Sequence, residues 1–323
     1  MRYRLFGPTG LRVSEMVLGT MGFHDPDEAK PLLAAYAEAG GNVLDTASAY
    51  GASEEVLGAI LEHRDRFVLG SKYTLTRAAE DPNAAGNHRK NLRASLEQSL
   101  RRLRTDYLDI YWVHVWDRHT PLEETMRALD DAVRAGKVLY LGISDAPAWV
   151  VARADTLAEW RGWTPFSGVQ VPYNLLARDI ERELLPMAEH LGLSVTAWAP
   201  LAAGKLTASA TSRRVDPAEL TATERAAATA VARVAAELDA TPAQVALAWL
   251  RDSSPAVLPI IGPRTVAQLQ DNLAALELRL PPEARAALEA AVPFERGFPA
   301  DFIAECDASD FVYGNAAATV RPR

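Results

Sequence analysis

The chain has 323 residues, 49% of them hydrophobic, and a formal net charge of −8 at pH 7. Such an acidic chain lacks the basic surface of a nucleic-acid-binding protein, so no nucleic-acid partner is expected. Cys306 is the only cysteine, no run approaches the ~20 apolar residues of a membrane span, and residues 1–7 do not resemble a signal peptide. We therefore expect a soluble cytoplasmic protein with no membrane partner.

Strands and helices are predicted to alternate along the chain. Residues 3–20 predict a hairpin that turns at residues 7–10, then a strand at 16–18 and a helix at 27–39. A second strand at 42–44 leads into a helix that Ser53 is expected to cap. Further strands are predicted at residues 66–72, 107–113, 138–143, 168–171, 193–198 and 256–260. Further helices are predicted at residues 88–103, 120–136, 147–160, 180–191, 223–238, 241–251, 265–275 and 281–291, with loops at 77–87 and 200–216 and an irregular tail after residue 291.

Eight short strands that alternate with helices are typical of a parallel α/β fold. No GxGxxG motif follows a strand and no GxxxxGK[ST] motif occurs, so neither a Rossmann crevice nor a P-loop is indicated. No stretch has the composition of a domain linker. The pattern predicts one domain over residues 1–323, a closed (β/α)8 TIM barrel with an N-terminal β-hairpin and extra C-terminal helices.

Polar side chains follow three successive strands of this predicted barrel. Asp45 and Tyr50 come after the second strand, Lys72 ends the third and His114 follows the fourth. Each alone has a structural explanation: a capping aspartate, a half-buried tyrosine, a surface lysine or a core histidine. The carboxyl ends of barrel strands converge, however, so we expect the four side chains to meet.

Together these four residue types can protonate a substrate. A phenol with a pKa of ~10 is a poor donor at neutral pH unless its anion is stabilised. A nearby ammonium would stabilise it, and a carboxylate would hold that ammonium in place. A histidine beside the phenol could orient a carbonyl oxygen.

The motifs around these residues occur together in a known family. They are Asp45-Thr46-Ala47 through Tyr50-Gly51 and Ser53-Glu54, Lys72 at a strand end, residues 106–109 before His114, and residues 136–138 through 142–144. In this combination residues 3–302 resemble an aldo-keto reductase. The resemblance implies reduction of an aldehyde or ketone, with Tyr50 as proton donor, Lys72 and Asp45 lowering its pKa, and His114 orienting the carbonyl.

The resemblance also implies NADPH or NADP, in preference to NADH, lying across the barrel and no metal. Ser144, Asp145 and Gln170 would hold the carboxamide, Trp198 would stack on the nicotinamide, and Gly19, Thr20 and Met21 would form the floor of the site. The pyrophosphate loop would comprise Ala199, Pro200, Leu201, Gly204 and Lys205. The adenosine and 2′-phosphate site would comprise Gly262, Pro263, Arg264, Gln268, Asp271 and Asn272. Apart from the resemblance, we expect Phe23 and Trp116 to form the substrate walls.

The sequence departs from the family pattern at two of these positions. Asp145 stands where the family usually has Asn, and Ala199 where it usually has Ser. Trp198 and the spacing from Gly262 to Asn272 resemble the bacterial and potassium-channel β-subunit branch of the family.

The leading interpretation is an NADPH-dependent reductase of a small-molecule carbonyl compound. A sugar ketoreductase or dehydrogenase of the same family is an alternative that the residues do not separate from it. A cofactor-binding regulatory subunit with little turnover is a third, disfavoured because no extra N-terminal docking segment is recognised. The substrate, the direction of reaction and the choice between monomer and homo-oligomer stay open.

Overall fold

A computed structural model describes residues 1–208 and 215–319. An antiparallel hairpin, β1 (Tyr3–Leu5) and β2 (Arg12–Ser14), precedes the barrel. Eight parallel strands close the barrel, and β10 pairs with both β9 and β3. They are β3 (Val17–Gly19), β4 (Val43–Asp45), β5 (Val68–Tyr73), β6 (Leu108–Val113), β7 (Val138–Ser144), β8 (Phe166–Pro172), β9 (Ser194–Trp198) and β10 (Val257–Ile261). The predicted TIM barrel with its N-terminal hairpin is confirmed.

Helices surround the barrel and follow its strands. No helix within residues 1–208 and 215–319 is long and apolar enough to cross a membrane. The helices are α1 (Pro26–Glu38), α2 (Ser53–Ile60), α3 (Arg89–Leu103), α4 (Leu122–Arg134), α5 (Ala148–Arg161), α6 (Leu184–Leu191), α7 (Ala222–Glu237), α8 (Pro242–Arg251), α9 (Val266–Ala274), α10 (Pro282–Ala291), α11 (Ala300–Asp307) and α12 (Asp310–Tyr313).

The barrel interior is filled by side chains at its amino end. Phe6, from the hairpin, packs edge-on against Trp112 with ring centroids 6.1 Å apart. A Cβ at Gly142 would lie 2.2 Å from the Trp112 ring, and one at Gly168 would lie 2.7 Å from Phe6, so both large rings require a glycine opposite them. The interior cluster comprises Phe6, Val13, Val17, Val43, Val68, Ile110, Trp112, Leu258 and Ile260. It closes one end of the barrel and leaves the carboxyl end for chemistry.

Three local predictions differ from the structure. Ser53 does not cap α2: it is the first helical residue, and its buried hydroxyl donates to the Thr20 carbonyl at 2.7 Å. The tail was predicted to be irregular, but it contains α11 and α12, whose apolar residues Phe302 and Phe311 stay exposed and so leave no buried-face periodicity. In the predicted loop at 200–216, Ala202–Thr207 forms a 3-10 turn, and residues 209–214 lie outside the described residues. A second 3-10 turn, Pro217–Glu219, follows the predicted loop.

Candidate active site

Asp45, Tyr50 and Lys72 meet at the end of the barrel where its strands terminate, here called the barrel mouth. The fully buried ammonium Nζ of Lys72 donates to Asp45 Oδ2 at 2.6 Å and to the Tyr50 hydroxyl at 3.3 Å. It also donates to the Thr46 carbonyl at 2.9 Å. The structure thus joins three of the four residues predicted for catalysis by hydrogen bonds, and the fourth, His114, lies against the Tyr50 ring.

Strand alternation explains why these side chains point inward. Val43 and Val68 belong to the interior cluster, and residues two or four positions further along the same strand face the same way. Asp45 therefore stands above Val43, and Lys72 above Val68. The loop that carries Tyr50 is held to β5, since the Ser48 amide donates to the Lys72 carbonyl at 3.1 Å.

The pKa values of this pair follow from burial and charge. Burial alone would lower the Lys72 pKa, but the Asp45 carboxylate and the Tyr50 hydroxyl together outweigh it, and the net pKa is raised. Lys72 is therefore charged at neutral pH. For Tyr50, burial raises the pKa more than Lys72 lowers it, with Asp45 adding to the rise. Lys72 thus lowers the Tyr50 pKa as predicted, whereas Asp45 does not, and burial makes the net pKa higher than that of a free phenol.

His114 lies beside the tyrosine ring. The two ring centroids are 5.7 Å apart in an edge-to-face arrangement. Burial, reinforced by the Lys72 charge, lowers the His114 pKa to about 4, so the imidazole is neutral at pH 7. A neutral imidazole offers one N–H donor and one acceptor, which suits a hydrogen bond to a carbonyl oxygen.

Gln170 has a contact that its predicted role did not include. Its amide Nε2 donates to Asp45 Oδ1 at 3.0 Å, while Lys72 occupies the other carboxylate oxygen. Both oxygens of the buried Asp45 are therefore paired. The two residues are 125 positions apart in sequence, and only the closed barrel makes them neighbours.

Ser144 and Asp145 end β7 beside Trp198. Ser144 is buried, whereas Asp145 is exposed in a left-handed conformation with φ 47°. The indole Nε1 of Trp198 donates to Asp145 Oδ1 at 3.3 Å. Partial removal of the carboxyl group from solvent raises the Asp145 pKa, although the hydrogen bond from Trp198 opposes the rise. Asp145 does not cap α5, because Pro147 occupies the N-cap position without a side-chain bond.

The predicted pyrophosphate loop has an unusual backbone. Ala199, Ala202 and Gly204 have positive φ values of 51°, 49° and 97°, and Leu201, at φ −101° and ψ 16°, precedes the left-handed Ala202. A right-handed residue followed by a left-handed one is the backbone conformation of anion-binding nests, although the Ala202 and Gly204 amides here already donate to the Ala199 and Leu201 carbonyls, each at 2.9 Å. Lys205, by contrast, is ion-paired with Glu224 and holds the pKa of that carboxyl at about 2.

A missed residue supports the same loop. Asn174, which follows β8, is buried and donates its side-chain amide to the Ala199 carbonyl at 2.9 Å. Pro200 lies between Ala199 and Leu201 and is buried. No local pattern around Asn174 distinguishes it from an ordinary loop asparagine.

The predicted adenosine end is only partly available to a ligand. Gly262, Arg264 and Gln268 are exposed, and the Arg264 amide donates to Gln268 Oε1 at 2.8 Å. Asp271 instead accepts from Thr241 at 3.0 Å and from Gln244 at 2.7 Å, which anchors α9 to the start of α8. Pro263 and Asn272 are buried.

The residues predicted for the floor and the substrate walls are likewise only partly available to a ligand. Gly19 ends β3, and Thr20 is buried with its hydroxyl donating to the Asp45 carbonyl at 3.1 Å. Met21 is exposed. Phe23 is only 3% exposed and packs in the main core, so the structure does not support it as a substrate wall. Trp116 is half-buried and contacts Trp149, which the sequence analysis did not single out.

A buried ion pair behind the tyrosine loop was also missed. Glu54 is fully buried, accepts from the Ser71 hydroxyl at 2.7 Å and pairs with Arg102 at 3.4 Å. Arg102 also donates to the Ser48 carbonyl at 3.3 Å, so α3 supports the loop that carries Tyr50. A glutamate in a first helical turn gives no sequence signal that it will be buried.

A model of the aldo/keto reductase family matches residues 15–293, which include all four predicted catalytic residues. The chain belongs to the aldo/keto reductase family. It is accordingly an oxidoreductase, as the sequence analysis predicted.

Curated relatives extend this match over almost the whole chain. The aldo-keto reductase ausK of Aspergillus calidoustus is 40% identical over 94% of this chain and 85% of its own length. The aryl-alcohol dehydrogenase [NADP(+)] of Phanerodontia chrysosporium is 38% identical over 98% of this chain and 92% of its own length. The norsolorinic acid reductase stcV of Emericella nidulans is 39% identical over 94% of this chain and 84% of its own length. These relatives are fungal and give no support to the predicted bacterial and channel-subunit branch.

Proposed function

We propose that this aldo-keto reductase reduces the carbonyl group of an aldehyde or ketone to an alcohol, with a hydride from NADPH and a proton from Tyr50. The observation that carries the proposal is the buried Lys72 ammonium, 3.3 Å from the Tyr50 hydroxyl and 2.6 Å from Asp45 Oδ2. A fully buried lysine paired with a carboxylate beside an accessible phenol is costly to maintain for structure alone.

The residues fit a dinucleotide with a 2′-phosphate. The guanidinium of Arg264 makes no hydrogen bond or ion pair within residues 1–208 and 215–319, so its donors are available to a phosphate. The positive-φ loop from Ala199 to Gly204 suits the pyrophosphate, and the half-exposed indole of Trp198 suits a flat ring. When bound, the cofactor would supply the hydride to the carbonyl carbon. The NADP(+) in the name of the Phanerodontia relative agrees with this cofactor.

The chain's own residues would handle the proton. The neutral His114 would donate a hydrogen bond to the carbonyl oxygen and orient it toward Tyr50. Tyr50 would then transfer its phenolic proton to that oxygen as the hydride arrives. The charge left on the phenolate would be stabilised by Lys72, whose ammonium is kept in place by Asp45.

This function is tested by following NADPH oxidation with a panel of an aryl aldehyde, an aliphatic aldehyde, a ketone and a ketose. The name of the aryl-alcohol dehydrogenase makes an aryl aldehyde the first substrate to assay. Tyr50→Phe should leave the Kd for NADPH unchanged and lower kcat about 100-fold or more, the usual effect of losing a general acid. Tyr107→Phe, at the opposite end of the barrel before β6, is the matched control and should change neither.

The outcomes separate the alternatives. Near-normal kcat in Tyr50→Phe would remove Tyr50 from the proton-donor role. Turnover of the ketose alone would favour the sugar ketoreductase. Tight NADPH binding without turnover of any carbonyl compound would overturn the proposal in favour of a regulatory subunit.

A further inference from the structure

Trp149 is a large apolar side chain that the fold leaves uncovered at the barrel mouth. It is the second residue of α5, the helix that begins directly after β7 ends at Ser144, and it is 56% exposed. Exposure alone does not mark a binding residue, because Trp160 on the same helix is 80% exposed. Trp149 differs from Trp160 in its position along α5 and in the ring that it contacts. Trp160 lies at the far end of α5, about 16 Å away at 1.5 Å per helical residue.

The partner of Trp149 is a residue already connected to the site. The Trp149 and Trp116 ring centroids are 5.4 Å apart, with an interplanar angle of 86°. Trp116 is two residues beyond His114, and its amide lies 3.5 Å from the Asp145 carbonyl. An edge-to-face pair holds both rings in defined orientations and leaves aromatic surface available for a third ring.

The charge of α5 that lies nearest this pair is balanced. Arg153, one helical turn beyond Trp149, is ion-paired with Glu123 at 2.5 Å. Asp145 is hydrogen-bonded to Trp198, and a carboxylate at this position disfavours an anionic ligand. Arg161, the other arginine of α5, lies at the far end of the helix. Among the residues that the structure describes, the start of α5 therefore offers aromatic area whose nearest cation on this helix, Arg153, is already paired.

We propose that Trp149 and Trp116 form an aromatic subsite that takes the uncharged ring of an aryl aldehyde or ketone. The proposal rests on the proposed carbonyl reduction, and it assigns the preference for a ring to Trp149. The stacked ring lies away from the carbonyl carbon, so Trp149 acts mainly on substrate binding and therefore on KM. An aromatic contact of this kind corresponds to a roughly 2- to 10-fold change in kcat/KM.

The test compares benzaldehyde with cyclohexanecarbaldehyde, which has a saturated ring of the same size. Trp149→Ala should lower kcat/KM for benzaldehyde roughly 2- to 10-fold, mainly through KM, and should lower it less for cyclohexanecarbaldehyde. Trp149→Phe keeps an aromatic ring and should restore most of the loss. Trp160→Ala is the matched control on the same helix and should affect neither substrate.

Equal losses for the two aldehydes in Trp149→Ala, or no loss for either, would overturn the subsite. So would a failure of Trp149→Phe to recover activity when its Tm equals that of the wild type. Failure of the proposed function would give a different result. In that case the wild type itself would reduce neither aldehyde, and the proposed subsite would be overturned as well.

Discussion

The indole N–H of Trp198 donates to Asp145 Oδ1 over 3.3 Å, which joins two predicted cofactor positions that are 53 residues apart in sequence. One would stack on the nicotinamide ring and the other would hold its carboxamide. Asp145 can only accept hydrogen bonds when ionised, so it places a negative charge where an asparagine would place a neutral amide. The nicotinamide ring is positively charged when oxidised and neutral when reduced, and Asp145 at the predicted position would therefore interact differently with the two forms.

Asp145→Asn should lower the affinity for NADP⁺ relative to that for NADPH. Opposite charges attract more strongly in a partly desolvated site than in water, so a carboxylate at the predicted position would stabilise the oxidised ring. The two dissociation constants, measured at pH 7.5, give the ratio. Asp155→Asn, further along α5, removes one charge away from the mouth and should leave the ratio unchanged. An unchanged ratio in Asp145→Asn would contradict the assignment.

Arg264→Ala should weaken NADPH binding roughly 10-fold or more and leave NADH binding nearly unchanged. The planar guanidinium can form paired hydrogen bonds to a 2′-phosphate, which NADH lacks, and bonds to charged groups are among the stronger ones. Titration with each dinucleotide measures both Kd values. Arg233→Ala, which removes an exposed arginine from α7, serves as the control. Equal weakening of both dinucleotides would show that Arg264 does not bind the 2′-phosphate.

His114 predicts a pH dependence of stability. Its pKa falls from an ordinary 6.5 to about 4 in the folded protein. Between pH 4 and pH 6.5 the unfolded chain binds more protons at His114 than the folded protein does, so the free energy of unfolding rises with pH. The contribution of His114 to stability is complete above about pH 6.5 and is lost as the pH falls toward 4. His114→Gln should remove this component, so that its Tm changes less than that of the wild type between pH 7.5 and 4.5. His24→Gln, at an exposed position, should follow the wild-type curve, and identical curves for all three proteins would refute the prediction.

Two buried tyrosines predict opposite effects of the same substitution. The hydroxyl of Tyr111 has no hydrogen-bond partner in the part of the chain that the structure describes, and its ring stacks on Tyr73 at 5.3 Å. Tyr111→Phe should therefore keep Tm or raise it by about 1–3 °C, because an unpaired buried hydroxyl is removed. The Tyr36 hydroxyl lies 2.7 Å from the Met16 carbonyl and 2.8 Å from Ser14 Oγ.

Tyr36→Phe should cost about 1–3 kcal/mol of unfolding free energy, because the partners of its hydroxyl are left unpaired. Thermal and urea unfolding of the two variants measure the difference. A loss of stability in Tyr111→Phe equal to that in Tyr36→Phe would mean that the Tyr111 hydroxyl is satisfied.

The barrel was predictable because its strands are short apolar runs with clear boundaries, and parallel strands buried on both faces produce that pattern. The meeting of Asp45, Tyr50 and Lys72 followed from the same topology, since each ends or follows a neighbouring strand. Both predictions use local sequence together with one global rule, that the carboxyl ends of parallel strands converge.

Side-chain partners were not predictable in this way. Asp271 has the right spacing for a ligand, but Thr241 and Gln244, about 30 residues earlier, occupy its oxygens. Phe23 follows a strand end as a substrate wall would, yet it turns into the core. Each choice depends on how neighbouring β/α units pack, which no local pattern encodes. The predicted lowering of the Tyr50 pKa by Lys72 holds, but the net rise depends on burial of the phenol, which no local pattern encodes either.

The seam between β3 and β10 determines when the barrel can close as the ribosome makes the chain. Val17 and Ile260 pair across this seam, although one lies near the start of the chain and the other near its last quarter. Until β10 has been synthesised, β3 and β9 each present an unpaired strand edge, and such edges can pair with other chains. A nascent chain therefore has a high risk of aggregation until β10 has been made, and a truncated chain that lacks β10 keeps that risk. Closure of the complete ring of strands removes it.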